Sequence, residues 1–249
     1  MRFTWMYAAS QLRLRHRYTA LGVTWNLLEP LLYLAVLSVV FSYVNRMPIA
    51  DYAVFLFSGL VPWRYFEKVV STSTDAIVQG DWLLKSLPAS PMSLPLSRWL
   101  VASAEFGFSF GALALVLLFV KDRWTIHVIV LPLSMLPWAL AALGVGLCCA
   151  TLFTFFRDVR PVVQLALMFA FFTAPILFHP DLFPPGSAQA RLLGWHPLTY
   201  LAALFQKPLY MGRWPTAVDW TVSWTAALAS LALGLSALHW ARPRLYFYL

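Results

Sequence analysis

With 61% hydrophobic and only 11% charged residues over 249 positions, the chain has too little polar surface to fold as a water-soluble globule. Its +8 formal charge would suit a nucleic-acid partner, but the cations collect around the ends of apolar runs, where they set membrane orientation instead. Apolar runs and their connections take up nearly the whole length, which leaves no room for a separate catalytic domain.

Residues 1–26 form a basic, aromatic lead-in. On a helix, Arg13 and Arg17 share a face with Arg2, while Phe3, Tyr7 and Leu14 gather on another, so a helix lying at the membrane surface is expected. No cleavage-site pattern follows, and the first apolar run begins too late for a signal peptide. Six windows then approach the roughly 20 residues a helix needs to cross a bilayer. They are Leu27–Val44, Ala53–Thr72, Trp99–Val120, Thr125–Phe153, Pro161–Phe178 and Trp220–Trp240. In hydrocarbon the backbone must pair internally, so such runs mean helices; the ten-residue alternation of a membrane β-barrel is absent. The expected fold is one all-α membrane domain over 1–249 with six spans.

Arg64, Glu67 and Lys68 stand three and four residues apart inside the second window, on one helical face. Charges at membrane depth face protein or a water path. The sharper reading makes them a lining of a conduit on its cytoplasmic half, beside Trp63, Tyr65 and Phe66, where they would meet an anionic phosphate. The plainer one is an ion-paired cluster that joins helices, or a span broken at Gly59 and Pro62.

Between the second and third windows, Ala76–Leu87 reads as a short helix ending before Pro88. Ile77, Leu84 and Leu87 lie near one face and Trp82 and Leu83 add apolar surface, so this helix is expected to need a partner. Gly107 and Gly111 form a G-x-x-x-G face for close helix packing. Phe156–Arg160 is a very short connection whose arginines, Arg157 and Arg160, anchor topology or pair with Asp158. His179–Asp219 is long, rich in proline and aromatic, and suggests short helices dipping into the outer leaflet. With six spans, ten cations fall on the side of both termini and six cations with four acids on the other, which places both termini inside. Cys148 and Cys149 are adjacent on one helix and read as packing residues. No phosphate-binding glycine loop, zinc motif or histidine cluster is present, so neither a cofactor nor a metal is expected in this chain.

Several segments, taken in order, resemble one family. They are Arg15-His16-Arg17-Tyr18-Thr19-Ala20-Leu21-Gly22 with Trp25 and Pro30; Gly59-Leu60-Val61-Pro62-Trp63; Phe156-Arg157-Asp158-Val159-Arg160; Pro175-Ile176; and His196-Pro197-Leu198-Thr199-Tyr200. Together they resemble the type-2 ABC transporter permeases that export polysaccharides such as O-antigen, capsule and teichoic acid. The chain departs from that pattern at His16, Glu29, Ala89 and His196.

The resemblance implies a bacterial inner-membrane permease that dimerises, pairs with two ATPase subunits holding ATP and Mg, and moves a lipid-linked glycan outward. It implies that Ala76–Leu87 is the coupling helix, with Ile77, Trp82, Leu83, Leu84, Lys85 and Leu87 toward the ATPase. Residues 1–20 would be the interfacial helix where substrate enters, near Arg13, Arg15, Arg17 and Trp25. Tyr33, Phe41, Trp63, Tyr65, Phe66 and Phe169 would line the conduit, since sugar rings stack on aromatic faces. The alternatives are a same-fold exporter of a drug or other lipid, and a membrane enzyme acting on lipid-linked sugars; the second lacks the clustered carboxylates or histidines it would need.

Overall fold

The computed structural model describes residues 2–15, 25–86, 90–119, 126–179, 182, 184 and 186–248. Among these the chain is helical with no strand. The readings at Arg17 and Leu87 lie outside the described residues, as do the side chains of Arg13 and Arg15.

Helix α1 (Arg2–Arg15) is followed by α2 (Trp25–Asn45) and α3 (Ile49–Thr74). The α2–α3 joint turns through 113°, at Arg46 in the left-handed region and Pro48, which cannot continue α2. Helix α3 is the core of the bundle. Tyr52 through Trp63, Ala53 aside, is buried along it, and α2, α6, α7, α8 and α10 all pack on it.

Two short helices, α4 (Ala76–Gln79) and α5 (Asp81–Ser86), replace the single one expected over 76–87. The break falls at Gly80, where a Cβ would stand 2.6 Å from a Leu94 methyl. Helix α6 (Ser93–Phe119) follows; then a short 3-10 turn (Ile126–Val130) leads into α7 (Leu131–Phe155). Helix α8 (Val159–Thr173) stops well before Phe178, the predicted limit, because Ala174 precedes Pro175 and is held extended. Its 15 residues rise only about 22 Å, short of the roughly 30 Å hydrocarbon core.

Helices α9 (Ala188–Trp195) and α10 (Pro197–Gln206), a π turn (Lys207–Met211) and the long α11 (Ala217–Tyr248) complete the chain. By length and composition, 126–155 and 217–245 are able to cross a bilayer, and the bent pair 31–45 with 49–74 qualifies jointly. Among the described residues this supports two or three spans.

The longest helix pairing is α7 with α11, at two glycines. A Cβ on Gly144 would sit 2.3 Å from the backbone of Ser230 and Leu231, and one on Gly234 2.3 Å from the Gly144 carbonyl. Gly107 and Gly111, by contrast, have nothing within 4 Å of a Cβ among the described residues, so no described helix uses the expected close-packing face.

The two ends of the bundle differ. At one, Ile77, Leu83, Leu84, Leu94, Leu238 and Leu245 form an apolar cluster with Tyr7 packed against it, so α1, α4, α5 and the end of α11 gather there. At the other, Leu177 accepts hydrogen bonds from Tyr52 Oη (2.7 Å) and Asn45 Nδ2 (3.0 Å). The outer segment is pinned by Trp138 Nε1 donating to the Leu201 carbonyl (2.9 Å) and Gln206 Nε2 to that of Pro175 (2.6 Å).

Candidate functional site

The face of α3 that carries Arg64, Glu67 and Lys68 opens into a cleft of about 310 Å³. Arg64 lies roughly 15 Å of helix before Thr74, toward the end that carries α4 and α5. Its Nη2 meets Glu29 Oε1 of α2 at 2.7 Å and its Nη1 meets Glu67 Oε2 at 3.3 Å. The guanidinium also lies 4.7 Å from the Tyr33 ring centroid, a cation–π contact. Lys68 Nζ meets Glu105 Oε2 of α6 at 2.6 Å. Glu105 is 3% exposed, so this pair joins α3 to α6 inside the bundle.

Among the described residues both cations are therefore paired, with three carboxylates, and these five groups sum to a formal charge of −1. Hydroxyls of Ser71, Thr72 and Ser109, with Tyr65 and Phe106, complete the lining.

Two further cavities adjoin it. One of about 490 Å³ shares Lys68, Thr72, Ala102 and Glu105 and runs to Tyr7, Ser10 and Gln11 of α1. There Arg98 donates to Gln11, and also to Gln79 at 3.2 Å, tying α6 to α1 and α4. The other, about 240 Å³, shares Arg64 and Glu67 and is walled by Tyr33, Trp63, Phe171 and Phe172.

The remaining site residues divide. Trp63, Tyr65 and Phe66 are buried: Trp63 packs on Phe66 and Phe171, and Tyr65 bonds Ser103 (2.9 Å). Trp63 and Tyr65 still reach cavity walls, but Phe66 packs on Trp138. Phe41 packs on the core away from these cavities, and Phe169 is exposed on α8 and lines none of them. Trp25 is partly exposed at the start of α2 and borders an apolar groove with Glu29 and Tyr33.

In the segment expected to couple to an ATPase, Ile77, Leu83 and Leu84 turn into the chain's own core, while Trp82 is 60% exposed. Lys85 pairs with Asp81 at 2.8 Å and holds that carboxyl below the usual range. Arg160 meets Asp75 at 3.2 Å, not Asp158, and Arg157 lies over the Phe153 ring.

Glu29 and Glu105 were missed as site residues. Each is an acid in or beside an apolar window, which by itself marks a candidate; only the fold reveals which cation each meets.

No family model matches the chain. It is 30% identical over 208 residues to an O-antigen export system permease protein of Myxococcus xanthus, covering 83% of this chain and 80% of that one. A second such protein, of Klebsiella pneumoniae, is 29% identical and covers 70% of this chain and 67% of its own length. A polysialic acid transport protein of Escherichia coli is 25% identical and covers 91% of this chain and 88% of its own. These relatives are transport permeases and not enzymes. With near-full coverage and 30% identity, the chain belongs to the permease family of type-2 ABC exporters.

Proposed function

We infer that this chain is the permease of a polysaccharide exporter, and that two copies with two ATPase subunits, which hold ATP and Mg, carry a lipid-linked glycan across the bacterial inner membrane. The names of the relatives support the polysaccharide. The observation that carries the reading in this chain is the charged and aromatic cleft along α3. Carboxylates accept hydrogen bonds from sugar hydroxyls, protein hydroxyls accept and donate them, and exposed Tyr33 offers a ring face. The net negative cluster favours the glycan over its pyrophosphate at this point of the path.

A Cys148→Ser/Cys149→Ser background with Arg64→Cys or Lys68→Cys tests the placement. Labelling by a water-soluble thiol reagent from the cytoplasmic side, reduced by exported glycan, is the expected result. Two unreactive cysteines would make the cluster a packing device. Stoichiometric co-purification of an ATPase tests the assembly independently.

A further inference from the structure

We propose that the cleft between the Ser90–Met92 turn and the end of α11 binds the phosphate headgroup of an anionic phospholipid. The cavity, about 430 Å³, lies away from the charged cleft and shares no residue with it. On α11, Leu235, His239 and Arg242 are four and three residues apart and form one stripe, with Ser236 beside it. The facing wall contributes Ser90 and Met92.

The stripe is graded. Leu235 lies within the apolar helix 217–245, and exposed Leu233 precedes it. His239 and Arg242 follow at the polar end, and Trp240 beside them is 84% exposed. An apolar wall running into a cation, flanked by an outward tryptophan, matches a lipid from acyl chain to headgroup, because tryptophan and arginine both favour the bilayer interface. Arg242 has no ion pair among the described residues, unlike Arg64, Lys68, Arg160 and Lys207, and its charge is free for an anion. Among the described residues no carboxylate lines the cavity to meet the amine of a zwitterionic headgroup. A soluble phosphate would use the same cation and hydroxyls but would leave the Leu235 end unfilled.

The inference requires only that α11 lies in a membrane, and it stands apart from what the protein transports. The full-length permease in detergent would be titrated with dioleoylphosphatidylglycerol and with dioleoylphosphatidylcholine, and bound lipid counted by native mass spectrometry. Arg242→Gln should weaken retention of the glycerol lipid roughly fivefold, the worth of one cation near an anionic leaflet. His239→Ala should also lower it, and Arg244→Gln, outside the cavity, should not. Equal loss with Arg244→Gln would reduce the effect to general surface charge and overturn the site. Unchanged retention in Arg242→Gln, or equal retention of the choline lipid, would overturn it too. Displacement of the lipid by inorganic phosphate at equal concentration would assign the site to a soluble anion instead.

Discussion

Asp75 is nearly buried where α3 gives way to α4, and Arg160 reaches it from the turn between α7 and α8. Asp158, which the sequence offers as an ion-pair partner beside a purely topological role for the arginines, stands exposed, and no side-chain bond caps α8 there. Asp158→Ala should therefore leave export near normal, whereas Asp75→Asn should reduce it, with a stability loss of about 1 kcal/mol or less, since Arg160 is largely in solvent. Export assayed with thermal midpoints separates the two effects, and the swap Asp75→Lys with Arg160→Glu should restore part of the loss. His196 titrates differently. Its Nδ1 is buried with no hydrogen-bond partner among the described residues, and burial lowers its pKa. The unfolded chain then takes up the proton more readily, so stability is full above the ordinary histidine value near 6.5 and falls as pH drops below it. Thermal midpoints measured down to pH 5 or so should show this slope, and His196→Asn should flatten it.

At the scale of helices, the break at Gly80 leaves α5 as a separate short piece whose own apolar residues part, Leu83 and Leu84 inward and Trp82 outward. Leu84 is 6% exposed and built into the core, so Leu84→Ala should cost about 2–5 kcal/mol and lower the yield of folded permease. Trp82 faces outward, so Trp82→Glu should leave the yield intact and abolish ATP-driven export. Normal export in that variant would remove Trp82 from the docking surface. The α7–α11 crossing makes a second prediction. Gly144→Ala places a methyl against backbone that cannot rotate away, so the helices must separate, at about 1–3 kcal/mol. Gly107→Ala, which meets open space, should be neutral in the isolated chain, and a thermal melt of both variants decides.

Across the whole molecule, three cations of one predicted side gather at one end. Arg98, Arg160 and Lys85 lie with α1 and the last turns of α11, while Lys207 of the π turn pairs at 2.5 Å with Asp219 in the first turn of α11. That common end is what an even number of crossings demands. A fluorescent protein fused after Leu249 should fluoresce, since it matures in the cytoplasm but not after export through the general secretory route. Activity of a fused alkaline phosphatase would reverse the orientation.

Composition and hydropathy were enough to establish an all-helical membrane chain, because lipid leaves the backbone no other solution for long apolar runs. The ordered short motifs were enough to identify the family, as the relatives bear out. Even the polar face at Arg64, Glu67 and Lys68 was legible, because helical spacing alone puts those residues together. What spacing cannot supply is the second helix. Glu29 and Glu105 come from α2 and α6, 35 residues before Arg64 and 37 after Lys68, and their pairing turns an apparent cationic face into a neutralised, slightly negative one. The same limit explains Gly144 and Gly234, whose value lies in the backbone opposite, and Asp75, whose partner is on another connection. Local sequence sets the face a helix presents; only packing chooses the residue that meets it.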